Sequence, residues 1–196
     1  MEQPTSTHDL IARIEQGDES AFTPLFEKYR KRLALLIHYK LSKELRLLVE
    51  VEDALQETFI EAFRNIERFR YEKPGGFLGW LSRIADHVIA DYARFHGRRK
   101  RRAETVRFRS AGTPDGPEPA DSATPSRLLA EKESLRALIQ KLDSLPEDYR
   151  RAILLAKVEG LSNAEMAERL GRSRESAALL LHRAIKRFRT IQENQV

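Results

Sequence analysis

Asp86, His87 and Asp91 lie close together and are of the kinds that catalysis or metal binding uses. His87 and Asp91 stand four residues apart, on one face of a helix. Two ligands do not hold a metal, and no third follows at a recognisable ligand spacing. His38, His96 and His182 occur singly, and the chain has no cysteine. No catalytic site, metal or cofactor is therefore expected, which leaves recognition of a polyanion as the chemistry to consider.

Three places carry groups suited to nucleic acid. The stretch "RFRYEKPGGF", Arg68 to Phe77, interleaves Phe69 and Tyr71 with Arg68, Arg70 and Lys73. Cations there can track phosphates while rings stack on unpaired bases, or the rings can anchor the loop to its own domain. Arg94 and the run Arg98 to Arg102 place a block of positive charge at the end of a helical pattern. It reads either as a phosphate contact with a salt-dependent affinity or as a solubilising helix end. The third place is "LSNAEMAERLGRSRESAALLLHRAIKRF", Leu161 to Phe188, which reads as helix, short turn, helix. Ser162 and Glu165 have capping-box spacing, with Leu161 and Met166 at the staple positions, Gly171 ends the first helix, and Ser173 can cap the second. On that second helix Ala177, Leu181, Ala184, Ile185 and Phe188 share one side, with Ala178 and Leu180 flanking it. Glu175, Ser176, Leu179, His182, Arg183 and Lys186 project from the other. An ordinary helical hairpin would show the same turn; the outward Leu179, and Arg172 and Arg174 at the head of the helix, where helix-turn-helix proteins approach phosphates and base edges, favour contact with a partner over bare solvent.

The elements that must hold these groups are helices throughout, because apolar residues recur at three and four and nowhere alternate for long. A first helix follows Ser6 or Thr7, carries Leu10, Ile11 and Ile14, and stops at Gly17. A second places Phe22, Leu25, Phe26, Tyr29, Leu33, Leu36 and Ile37 on one stripe and starts near Thr23 because of Pro24. A third, Val51 to Ile66, is expected to bury Leu55, Thr58, Phe59, Ala62, Phe63 and Ile66 while Asp53, Glu57, Ile60 and Arg64 face outward. A fourth follows Pro74 to Gly76 and is expected to bury Phe77, Leu81, Ile84, Ala85, Val88, Tyr92 and Phe95. Ser110 to Pro125 then holds four prolines and two glycines and little that could form a core. Periodicity resumes at Ser126 with Leu128, Leu135, Leu138, Ile139, Leu142 and Leu145. The expectation is an all-α protein of two small helical domains, residues 1–102 and 126–196, joined by a flexible linker over 103–125.

Composition agrees with that picture. In 196 residues, 35 lysines and arginines against 30 acids give a formal charge of +5, which suits a polyanionic partner, and 41% hydrophobic residues are enough for one or two small cores. The polar start and the lack of a long uncharged apolar run predict a cytoplasmic protein with no membrane insertion.

Taken in order, "DALQETF", then "GWLSRIADHVIADY" with its arginine-rich end, then "LPEDYRRAILLAKVEGLSNAEMAERLGRSRESAALLLHRAIKRF", resemble regions 2 and 4 of the small bacterial RNA polymerase sigma factors of the extracytoplasmic-function type. The resemblance covers roughly Leu10 to Arg102 and Ser134 to Arg189. It implies a subunit that binds core RNA polymerase and promoter DNA, directs transcription initiation and makes no bonds itself; family members are often held by an anti-sigma protein. It carries polymerase binding to Asp53, Gln56, Glu57 and Ile60. Opening and holding of the minus-ten element falls to Phe69, Tyr71, Phe77, Trp80, Arg83, His87, Arg94, Arg98 and Arg99. Reading of the minus thirty-five element falls to Arg172, Arg174, Ser176, Leu179, Arg183 and Lys186. Two departures bear on specificity: Asp86-His87 stands where the family often has asparagine, and Ala178 and Leu180 replace common cations. The rival reading is a helix-turn-helix regulator that does not bind core polymerase, and the segment Tyr39 to Glu52 has no functional account in the sequence.

Overall fold

The computed structural model describes the backbone of residues 6–71, 75–105 and 125–193, and their side chains except 99–105, 125–128 and 192–193. Every regular element among the described residues is helical. Helix α1, Thr7–Glu15, begins with a capping box: the Asp9 N–H donates to Ser6 Oγ and the Ser6 N–H donates to Asp9 Oδ2, both at 3.1 Å. A 3₁₀ turn at Glu19–Ala21, capped by Asp18, leads into α2, Phe22–Lys40. Pro24 sits in the first turn of α2, where no intrahelical acceptor faces its nitrogen, so the ring costs the helix nothing there. Helices α3, Val51–Asn65, and α4, Gly76–Thr105, complete a first unit.

The second unit contains α5, Pro125–Asp143, and α6, Glu147–Ile153, which continues into a π-helical turn, Leu154–Val158. Helices α7, Asn163–Leu170, and α8, Arg174–Glu193, follow. Residues 103–105 and 125 of the expected linker are thus helical; the rest of it lies outside the described residues, as does the side chain of Leu128.

The first core fills the space between α2, α3 and α4 with Leu25, Leu33, Ile37, Leu55, Phe77, Leu78 and Leu81, all fully buried. Thr58 is buried among them, and its hydroxyl donates to the Ala54 carbonyl at 2.6 Å, which satisfies the only polar group it brings. Two residues expected in this core lie outside it: Phe63 is 46% exposed and Phe95 is 51% exposed. Helix α3 is 15 residues long and α4 is 30, about 22 Å against 45 Å, so the far half of α4 outruns the helix that would cover it. Phe63 lies near the end of α3 and packs one side of its ring on Phe22, 4.5 Å between centroids. Phe59, Ile84 and Tyr92 are half-buried at the same margin.

A second difference is larger. The cluster that contains Leu25 and Phe77 runs on into Leu142, Leu145, Ile153, Val158 and Ala184 of the second unit, so the two units share one apolar core along α2. A separate small cluster, Ala152, Leu155, Met166, Ala167, Ala177 and Leu180, holds the helix-turn-helix together.

Candidate nucleic-acid interface

The helix-turn-helix is positioned by local chain chemistry. The Ser162 N–H donates to Glu165 Oε2 at 2.9 Å and the Glu165 N–H donates to Ser162 Oγ at 3.3 Å, which closes a second capping box. Leu161 packs against the cluster that holds Met166, as a staple should. Gly171 takes φ +62°, a left-handed conformation in which the Arg172 N–H reaches back to the Ala167 carbonyl at 3.0 Å and ends α7 sharply. Ser173 then accepts from the Ser176 N–H at 3.2 Å and starts α8. Replacing Ser162 by alanine is expected to cost about 1 kcal/mol and lower the thermal midpoint by about 2–4 °C, measurable by circular dichroism.

Ala177 and Ala184 have no exposed surface, so small residues bring α8 close to the rest of the unit. Leu180 is buried with them instead of merely flanking the core side. Opposite, Arg172, Arg174, Ser176, Leu179, Arg183 and Lys186 are all exposed, Leu179 at 50%. The Arg172 guanidinium is held 2.6 Å from Asp148 of α6, an exposed pair of the kind that adds little stability and can yield to a phosphate.

In the first unit, Asp53 and Gln56 are exposed on the first turns of α3, while Glu57 and Ile60 are half-buried. Burial, and beyond it the negative charges of Asp53 and Glu57, push the Tyr92 phenol up from its ordinary pKa. Those carboxylates therefore act toward α4 as well as outward. Between α3 and α4 lies a groove of about 760 Å³ lined by Glu57, Glu61, Asn65, Arg68, Trp80, Ile84, His87, Val88, Asp91, Tyr92 and Phe95. One expected polymerase contact, Glu57, and two expected DNA contacts, Trp80 and His87, thus share one depression. Arg68, a cation of the neighbouring loop that is not among the expected contacts, lines it too.

Two expected base contacts are corrected. Phe77 is 0% exposed and Phe69 is 6% exposed; their ring centroids are 5.2 Å apart, and Trp80 lies 5.1 Å from Phe69 and 5.5 Å from Phe77. Tyr29 closes the cluster from α2, 5.1 Å from Phe77. These rings anchor the loop, which was the alternative open in the sequence, and neither can stack on a base in this conformation. Tyr71 is half-exposed with its ring edge-on to His8 at 5.5 Å, and Trp80 is half-buried. Arg83, His87, Arg94 and Arg98 are exposed on α4, Arg94 in an ion pair with Asp91. With Trp80 they repeat at spacings of three, four, seven and four residues, one stripe about 27 Å long from Trp80 to Arg98. The side chain of Arg99 lies outside the described residues, as do those of Lys100, Arg101 and Arg102.

Residues 25–99 match the Sigma-70 region 2 family and residues 135–188 match Sigma-70, region 4, in the order and on the helices just described. Over 168 residues the chain is 32% identical to the ECF RNA polymerase sigma-E factor of Haemophilus influenzae, covering 86% of this chain and 85% of that protein. The chain belongs to the ECF RNA polymerase sigma factor family. The sigma-E factor of Escherichia coli K12 is 29% identical over 167 residues, covering 85% of this sigma factor and 84% of its relative. Among solved structures, CnrH in complex with the cytosolic domain of CnrY aligns with a TM-score of 0.44 at 22% identity, over 95% of this chain and 97% of that one. Region 2 of this sigma factor spans most of α2 through α4, and region 4 spans the second half of α5 through α8. No described helix is long and apolar enough to cross a membrane.

Proposed function

We infer that this sigma factor divides its work between its two units. It binds core RNA polymerase and directs promoter recognition and transcription initiation. In our reading Asp53 and Gln56, with Glu57 and Ile60 beside them, engage the polymerase. Tyr71, Trp80, Arg83, His87, Arg94 and Arg98, continued by Arg99, hold the minus-ten element. Arg172, Arg174, Ser176, Leu179, Arg183 and Lys186 read the minus thirty-five duplex. The observation that carries this reading is the face of α8 and the turn before it: five exposed side chains at reading positions on the helix and Arg172 in the turn, with the helix start fixed by a left-handed glycine and a serine cap. Leu179 is placed to touch a thymine methyl, and the buried Leu180 and half-buried Ala178 leave this helix fewer phosphate contacts than its cationic relatives.

The work is binding, not bond-making, and we place it in the cytoplasm beside the chromosome, with an anti-sigma protein as the class of regulator the family uses. A regulator that used α8 alone would have no use for the exposed acid and amide on α3. Gel filtration with purified core enzyme and no DNA separates the two readings: the sigma factor co-migrates with core, and a simple regulator elutes alone.

Changing Arg94 and Arg98 together to glutamine is expected to weaken promoter binding by the holoenzyme and to flatten its salt dependence by about 1.5 in slope, about 0.7–0.9 per lost phosphate contact. Core association should stay nearly unchanged. Titrations at several salt concentrations check the slope, and a parallel loss of core binding would contradict the division of labour.

A further inference from the structure

The joint between α2 and α3 presents two leucines to solvent. Leu47 is 85% exposed and Leu48 is 59% exposed, more than any other large hydrophobic side chain among the described residues. Single apolar side chains on a surface are ordinary, but these two are adjacent and their backbone is pinned. Leu45 and Val49, on either side, are buried. Between them the chain makes a 3₁₀ turn, Leu45–Leu47, after which the Leu48 and Val49 N–H groups both donate to the Leu45 carbonyl, at 3.0 and 2.9 Å. Ser42 Oγ accepts from the Leu45 N–H at 3.1 Å. Arg46 Nη1 stands 3.0 Å from His38 Nε2 and donates to the His38 carbonyl at 3.4 Å, which braces the turn on the end of α2. A turn tied in this way gives up little further freedom when a partner covers its tip.

Chain length and charge say which partner. Val51 opens α3 three residues after Leu48, at most about 11 Å away, and Asp53 follows within the first helical turn, so the Leu48 and Asp53 Cα atoms stand within about 16 Å of each other. A standard interface covers about 800 Å² on each partner, a patch about 30 Å across, so a contact that takes in Asp53 and Gln56 has room for the tip. Around the leucines Glu44, Glu50 and Asp53 are exposed, against Lys43 alone, so the surface that fits is an apolar recess bordered by cations. A second copy of the chain fits worse. Two leucines fall far short of the area a stable dimer buries, and a two-fold axis through them would set one acidic tip against another. We propose that Leu47 and Leu48 are the apolar anchor of the polymerase contact, seated in a cation-bordered recess of core RNA polymerase beside the groups that take Asp53 and Gln56. The proposal rests on the reading of the α3 face as the polymerase-binding face. In it the leucines supply the part of the affinity that salt does not screen, while the carboxylates around them set orientation and speed of association.

The test replaces both leucines in the full-length protein, Leu47→Ser with Leu48→Ser. Binding to purified core RNA polymerase should weaken by about thirtyfold or more, and the loss should be the same at low and high salt. Because both side chains are exposed, the thermal midpoint and the binding of a duplex carrying the minus thirty-five element should match the parent's. A second measurement leaves the leucine face nearly intact. The chain has no cysteine, so Leu47→Cys gives a single site for an environment-sensitive dye. Its emission should shift to the blue on addition of core enzyme, while the same dye on Gln16→Cys, exposed just after α1, should not move. Full core affinity in the double-serine variant, or an unshifted dye at position 47 on a protein that binds core, would overturn the anchor. A free parent that sediments as a dimer, and as a monomer once the leucines are serine, would overturn it too by giving the tip to a second copy. A parent that binds no core at all fails the reading of α3 and takes the anchor with it; a parent that binds core no better than the double-serine variant fails the anchor alone.

Discussion

Exchanging Asp53 for lysine together with Gln56 for alanine is expected to weaken binding to core RNA polymerase by about a hundredfold or more. Both side chains are exposed, so neither change removes a core contact. Asp53 stands in the first turn of α3, where a cation is opposed by the helix dipole, at a cost of about 0.3–1 kcal/mol that the unit can absorb. Across an interface the same reversal places like charges together, which costs several kcal/mol, and each 1.4 kcal/mol is a factor of ten in affinity. Fluorescence anisotropy of labelled protein titrated with core enzyme measures the loss. Circular dichroism should show an unchanged fold, and a duplex carrying the minus thirty-five element alone should bind as before, because α8 is untouched. Retention of full core affinity by this double variant would show that the polymerase grips another face.

The second large effect is on stability. Phe77→Ala should cost about 3–5 kcal/mol and lower the thermal midpoint by about 10 °C or more, because the ring has no exposed surface and packs on Tyr29, Phe69 and Trp80. Tyr71→Ala, at a half-exposed position touching His8, should cost less than about 1 kcal/mol and show its effect instead in the holding of unpaired promoter bases. Unfolding followed by Trp80 emission measures both. A stable Phe77→Ala protein that merely lost promoter opening would restore Phe77 to the base contacts from which its burial removes it.

What the sequence made legible follows the range of the forces involved. The capping box of Ser162 and Glu165, the left-handed Gly171 and the Ser173 cap act within four residues, so spacing alone reveals them. The exposed face of α8 follows as soon as its buried face is known. Phe69 and Phe77 were ambiguous because burial of a ring at the loop or at the start of α4 is decided by partners such as Tyr29, about fifty residues before Phe77, which no local pattern announces. Phe63 and Phe95 belong to the apolar stripes of their helices, but periodicity gives the side of a helix that faces the core and says nothing of where the facing helix stops.

The contact between the units was the least legible feature. The proline-rich segment advertises a tether, and a tether suggests modules standing apart. Leu35 was the available signal: a leucine off the main stripe of α2, on one line with Arg32 and Tyr39. An apolar residue on the wrong side of an amphipathic helix needs a cover, and here α5 and the π-helical turn after α6 pack against α2. The Tyr39–Glu52 segment shows a related economy. Ser42 Oγ accepts from the Leu45 N–H at 3.1 Å, and Arg46 reaches the His38 ring at 3.0 Å, so the stretch is a small structured joint between α2 and α3, with Leu47 exposed at its tip.

The most direct test of the central claim is transcription by purified core RNA polymerase from a genomic fragment library, with and without this protein, with start sites mapped to the base. The account predicts a set of new start sites that appear only when the protein is present and share two sequence elements near minus ten and minus thirty-five. Initiation by core plus protein at no position beyond those used by core alone would contradict it.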